Sequence, residues 1–116
     1  MRISELSALT GVSPHRLRHY ESLGLIVSQR QPNGYRVFSS TTTREVVFID
    51  MSRKMGFSLE EIAVHLPRYR AGCLTAKEMV VAIREKICEI DAVIAEKKKL
   101  KQLLLHHIAW FHARRK

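Results

Sequence analysis

The side chains best equipped for chemistry in this sequence are cations and a few soft ligands. His15, Arg16, Arg18 and His19 crowd one short segment between Ser13 and Ser22, and their donors suit the phosphates and base edges of a nucleic acid. Arg2, Arg36, Arg53 and Lys54 add positive charge on either side of it. Cys73, with His106 or His107 of a second copy, offers the thiolate and imidazole that zinc or a similar ion favours. The same thiol, with Arg68 and Arg70 nearby in sequence, could instead serve as a redox sensor. No CxxC or HxxxH companion lies near it in sequence, and no cofactor is identified. No nucleophile–base pair, phosphate-binding glycine loop or metal cluster occurs at usable spacing, which argues against an enzyme.

Those cations need elements to aim them. Gly11 can close one helix, Ser13 can cap the next, and Pro14 fits a first turn, where its missing N–H costs nothing. This second helix runs to about Ser22. Leu17 and Tyr20, with Val12 before and Leu23 after, face a core, and the basic residues lie outside it. Ile3, Leu6 and Leu9 form the stripe of a small supporting helix, and Arg2 near its start can reach a phosphate. Downstream, Asn33-Gly34 is a strong hairpin signal, with positive φ expected at both residues. Tyr35 either packs on that hairpin or stacks on a base, and the planar guanidinium of Arg36 suits phosphate or a groove. A helix-turn-helix followed by a basic hairpin is a winged-helix pattern.

Beyond the wing, Ser39 to Thr42 offers several caps, and Thr42 to Glu45 has capping-box spacing. The helix that follows should carry Val46, Val47, Ile49 and Met51 inward and end near Gly56. Arg53 and Lys54 then sit on its last turn, where they suit either the helix dipole or a phosphate. Ser58 and Glu61 form another capping box, opening a short helix with Leu59, Ile62, Ala63 and Leu66 that Pro67 should stop. The head is thus assigned to residues 1–70 and a hinge to 71–74. From Thr75 one helical pattern continues to about Phe111, about 55 Å long. Met79, Ile83, Ile87, Ile90 and Ile94 recur as a coiled-coil seam that resumes with Leu104 and Ile108. Lys97, Lys98, Lys99 and Lys101 interrupt it, as a solvated face, as contacts to the DNA backbone, or opposite Glu85, Glu89 or Asp91 of a second copy. So long a stripe cannot be buried on a head of this size, so it should meet its copy in a homodimer. Residues 75–116 are read as the dimerisation helix with a short C-terminal tail.

Composition agrees with an anionic partner. The chain has 116 residues, 46% of them hydrophobic, and 20 Lys and Arg against 11 Asp and Glu give +9. That surplus favours double-stranded DNA. No apolar run reaches the roughly 18–20 residues needed to span a bilayer, and no signal peptide is read at the N-terminus, so no membrane role and a cytoplasmic location are expected. Two cysteines are too few and too irregular for a disulfide framework.

Six blocks carry a resemblance to a known family. Arg2 to Ser7 looks like an opening helix, Thr10 to Ser13 a helix-turn, Leu17-Arg18-His19-Tyr20-Glu21 a Leu-Arg-Tyr-Tyr-Glu signature, and Leu23 to Ile26 its Gly-Leu exit. Asn33 to Ser39 resembles a wing, and Met55 to Ile62 the start of a fourth helix. In this order and spacing they resemble the MerR family of bacterial transcription regulators over residues 1–70. His19 departs from the customary first Tyr, and Arg16 from a common Thr; both departures bear on which operator is read.

The resemblance implies a mainly α protein: a winged helix-turn-helix DNA-binding domain followed by a dimerisation helix that pairs as an antiparallel coiled coil. It implies a DNA-contacting Arg at 36 and a phosphate contact from Arg53 or Lys54. The candidate DNA-binding set is then Arg2, Ser13, His15, Arg16, Arg18, His19, Tyr20, Tyr35, Arg36, Arg53 and Lys54. It further implies a near-palindromic operator within an overlong promoter spacer, distorted so that RNA polymerase can engage. Family members usually carry an effector segment after the dimer helix, and neither the cysteine-bearing metal loop nor a drug-binding domain is read in this chain. An effector-less architectural protein and a metal or thiol-redox sensor using Cys73 therefore stand as alternatives.

Overall fold

A computed structural model describes residues 1–114; Arg115 and Lys116, part of the expected tail, lie outside the described residues. The order of elements is α1 (Ile3–Thr10), α2 (Pro14–Ser22), β1 (Gln29–Arg30), β2 (Arg36–Val37), α3 (Thr41–Lys54), α4 (Leu59–Arg70) and α5 (Ala76–Ala113). They divide into two compact units, one ending at Leu74 and one beginning at Thr75.

In the first unit, α1 packs on α2 and α3, and α3 packs on α4. Leu6, Leu17, Val46 and Ile49 are fully buried, with Val12, Ile26, Phe38 and Ile62 nearly so. The helices start largely as their caps dictate. Ser13 Oγ accepts the Arg16 amide at 3.2 Å with Pro14 in the first turn, and Ser58 and Glu61 form the reciprocal box at 3.1 and 3.0 Å. The exit of α2 is a Schellman turn: Gly24 (φ 76°) donates to Glu21 O, and Leu25 donates to Tyr20 O, each at 3.0 Å.

Several expectations give way to packing. The inward arc of α3 carries Thr42, Val46, Phe48, Ile49 and Ser52, because α1 and α4 bound that side. Val47 and Met51 lie outside this arc and are about half exposed. Leu9 and Leu23 are exposed as well: α1 is short enough to bury only Leu6, and the turn at Gly24 sends Leu25 and Ile26 inward instead. The α3 capping box at Thr42 and Glu45 does not form. The helix starts two residues earlier than that box requires, at Thr41, its N-cap Ser40 makes no side-chain cap bond, and Glu45 binds Arg70.

Pro67 does not end α4, which continues to Arg70. Its missing N–H and the carbonyl it deprives, that of Ala63, belong to exposed residues, where water can serve the carbonyl. Beyond it, tertiary contacts hold the last turn. Tyr69 stacks on Phe48 with centroids 4.2 Å apart, and Arg70 donates to Glu45 Oε1 at 2.7 Å and Leu25 O at 2.8 Å. The helix then closes with a second Schellman turn at Gly72, φ 74°.

The wing pairs Gln29 with Val37 and Arg30 with Arg36, antiparallel. Its turn is longer than a two-residue Asn-Gly hairpin. Gly34 donates to Gln31 O at 2.9 Å and Gln31 donates to Tyr35 O at 2.8 Å, leaving a three-residue loop of Pro32, Asn33 and Gly34. Only Gly34 has positive φ there, at 86°. A two-residue Asn-Gly hairpin would need an N–H from residue 32 to Tyr35 O, which Pro32 lacks; its φ near −65° instead fits the first central position of a type I turn followed by a left-handed glycine, and Asn33 Oδ1 accepts the Tyr35 amide at 3.1 Å.

In the second unit, α5 spans 38 residues, about 57 Å. Thr75 caps it, accepting the Glu78 amide at 3.1 Å. None of its residues is buried. Met79 and Ile83 are partly exposed, and Ile87, Ile90, Ile94, Leu104 and Ile108 each keep about half of their surface in water. No helix among the described residues is long and apolar enough to cross a membrane.

Because Gly24 needs a left-handed backbone that a Cβ disfavours, Gly24→Ala should destabilise the head by about 1–2 kcal/mol, read as a lower urea midpoint. No atom crowds a Cβ at that position, so the loss reports backbone strain alone, and an unchanged midpoint would contradict the assignment.

Candidate nucleic-acid interface

Burial of Leu17 and Tyr20 fixes the rotation of α2, so His15, Arg16, Arg18 and His19 face outward and are exposed. Two shallow surface pockets flank the helix. Arg16, His19, Arg53 and Lys54 line one, together with Asp50. Arg18, Arg36, Arg2 and Tyr35 line the other, with Glu21. Every basic residue expected to meet DNA in the head thus borders α2 or lies on it.

Carboxylates behind these cations hold three of them, Arg16, Lys54 and Arg36. Asp50, whose side chain is 15% exposed, accepts Arg16 Nη2 on Oδ1 and Lys54 Nζ on Oδ2, both at 3.0 Å. Arg16 Nη2 also donates to Tyr20 Oη at 2.8 Å. On the other side Glu21, 17% exposed, accepts Arg36 Nη1 at 2.7 Å and the hydroxyl of Ser28. Arg53 Nη1 donates to Phe57 O at 3.0 Å beyond the end of α3, and the Arg2 guanidinium lies 4.0 Å over the Tyr35 ring. Arg18 has no side-chain hydrogen bond or ion pair among the described residues, so all its donors are available.

Three of the expected contact residues also have partners within the head. Tyr20 is 3% exposed, with its ring in the core and its hydroxyl on Arg16. The Ser13 hydroxyl is occupied as the α2 cap, and Tyr35 carries the Arg2 guanidinium on its ring. The carboxylates that hold the site, Asp50 and Glu21, escaped the sequence reading. Asp50 and Lys54 had the i,i+4 spacing of a helical ion pair, whereas nothing local announces Glu21 with Arg36.

Cys73 is exposed, with its thiol donating to Ala71 O at 3.7 Å. Arg68 donates to the Cys73 carbonyl at 3.1 Å, and Arg70 is committed to Glu45 and Leu25. His107 Nδ1 donates to Leu103 O at 2.9 Å, with the His106 ring edge-on to it. Among the described residues no three His, Cys, Asp or Glu side chains gather as metal ligands.

Comparison with known proteins agrees with this geometry. The sequence profile described as MerR family regulatory protein matches residues 2–38, and that described as MerR, DNA binding matches residues 43–107. The chain belongs to the MerR family. It is 33% identical over 112 residues to the HTH-type transcriptional regulator HmrR of Rhizobium leguminosarum bv. viciae, covering 97% of this chain and 87% of that protein. The MerR fold is also that of the transcription regulator PbrR691 from Ralstonia metallidurans CH34, solved in complex with lead(II). That match has a TM-score of 0.75 and 25% identity, over 90% of this chain and 82% of that one. HiNmlR, a MerR family regulator lacking the sensor domain and solved on promoter DNA, shares the fold at a TM-score of 0.61 and 22% identity, over 97% and 86%. The protein is a MerR-family DNA-binding transcriptional regulator, and the proteins it matches are regulators.

The hydrogen bond from Lys54, opposed by partial burial and reinforced by Arg16, holds the Asp50 carboxyl below its ordinary value of 3.8. A depressed carboxyl stabilises the folded head above its unfolded value, and that contribution is lost as pH falls through the lower folded value. Carbon NMR titration should find Asp50 ionising below 3.8, with Lys54→Ala moving it upward. A side chain titrating at the ordinary value in both would contradict the ion pair.

Proposed function

We propose that the protein is a homodimeric regulator whose two heads bind the half-sites of a near-palindromic promoter operator, with each α2 in a major groove. The observation that carries this reading is the pair of cation-lined pockets on either side of α2. His15, Arg16, Arg18 and His19 meet base edges or phosphates. Arg36 and Arg2 reach the backbone from the wing side, and Arg53 or Lys54 from the end of α3. Ser13, Tyr20 and Tyr35 contribute by aiming α2, Arg16 and Arg2.

Pairing through α5 supplies the second head. A stripe of half-exposed isoleucine and leucine along a helix of about 57 Å is costly in water, and pairing with a copy removes it. In the antiparallel arrangement the two heads stand at a fixed spacing, to which the operator half-sites correspond. Distortion of the duplex between them then controls how RNA polymerase engages the promoter. Residues 71–74 serve as the hinge between head and rod in this scheme.

Two outcomes follow. Arg18→Ala should weaken binding to a duplex of the protein's own promoter about 5- to 100-fold at physiological salt and lower the salt slope by about 1 if a phosphate contact is lost. Lys98→Ala should cost much less, and equal losses in fluorescence anisotropy would refute the assigned face. Combining Ile87→Asp with Ile90→Asp should yield monomers in analytical ultracentrifugation, and persistence of a dimer would remove α5 as the pairing element.

A further inference from the structure

We propose that Asp50 is a specificity-determining positioning residue: it fixes the Arg16 guanidinium for sequence readout and lowers the head's affinity for DNA of any other sequence. The inference rests on the operator-binding reading above and names how that same surface discriminates.

Arginine carries five donors in a rigid plane. In Arg16 both Nη2 hydrogens are engaged, one by Tyr20 Oη at 2.8 Å and one by Asp50 Oδ1 at 3.0 Å. Two acceptors on one nitrogen fix the plane, and they leave Nη1 and Nε for an external ligand. Both acceptors are themselves anchored, Tyr20 by burial in the core at 3% exposure and Asp50 by its place on α3 and its bond to Lys54. Arg16 itself stays accessible, its side chain 46% exposed. A long side chain on a short helix is thereby held at a set angle with its rotamer entropy already spent, so that binding orders it less.

The charge acts in the same direction. A carboxylate among the cations Arg16, His19, Arg53 and Lys54 that line the same pocket repels phosphate and cancels part of the local positive field. That penalty falls on every duplex, because backbone attraction is independent of sequence. The gain from an aimed Arg16 falls only on the duplex whose groups match it. Asp50 therefore raises the ratio of specific to non-specific binding by both routes.

The test compares a duplex of the protein's own promoter region with a random duplex of equal length, by fluorescence anisotropy at several salt concentrations, using the full chain. Asp50→Asn should tighten binding to the random duplex while lowering the promoter-to-random affinity ratio about tenfold, and Asp50→Glu should restore part of that ratio. Tyr20→Phe, which removes one acceptor without changing charge, should lower the ratio with an unaltered salt slope. It also serves if circular dichroism shows Asp50→Asn to be unfolded. Parallel tightening on both duplexes in Asp50→Asn, or an unchanged ratio in Tyr20→Phe, would overturn the proposal. Should the wild type hold both duplexes equally, the operator-binding reading itself fails, and this inference with it; unchanged ratios in the variants of a discriminating wild type remove Asp50 alone.

Discussion

A nine-residue helix has no stability of its own in water. What keeps α2 folded, and keeps its basic side turned outward, is the insertion of Leu17 and Tyr20 into the core that Leu6, Val46 and Ile49 also enter. Everything assigned to the DNA-facing surface depends on that grip. Rotating α2 by one residue would bury Arg18 and expose Leu17, and burying an unpaired guanidinium costs several kcal/mol by any measure. The outward display of charge is therefore a by-product of where the apolar side chains are compelled to go.

Cations gathered on one surface repel one another, and the head answers this with half-buried carboxylates. Asp50, Glu21 and Glu45 are 15%, 17% and 12% exposed, and each accepts an arginine. Partial withdrawal from water strengthens each pair relative to a fully exposed one. Two of the three tie Arg16 and Arg36, proposed above to face DNA, to the scaffold. The third, Glu45 with Arg70, fastens the end of α4 to α3, while Arg70 also reaches the Leu25 carbonyl that follows α2.

Local signals in the sequence were sound where the backbone obeys near neighbours. The Ser13 cap with Pro14, the box at Ser58 and Glu61, and the stop at Gly11 all depend on residues within four positions. What could not be read depended on partners far along the chain. Pro67 looked terminal because the stacking of Tyr69 on Phe48 lies 21 positions apart. Val47 and Met51 looked inward because helical spacing alone does not say which apolar arc faces α1 and α4. Asn33 departs from expectation for a nearer reason: Pro32 has no N–H with which to close a two-residue hairpin, so the closing bond moves to Gln31. The cations of the candidate interface were legible by type and spacing, whereas the long-range carboxylate partners of Arg16 and Arg36 were not, because a pair such as Glu21 with Arg36 joins a helix to a strand.

The core of the head draws only on residues between Leu6 and Leu66. During synthesis, which runs from the N-terminus, the whole apolar interior of the first unit is available before most of α5 has been made. The head can then collapse around α2 as a finished module while the rod is still emerging, and the half-exposed isoleucines appear after it. The exposed stripe is thus made later than the head, which shortens the time it can spend stuck to an unfinished core.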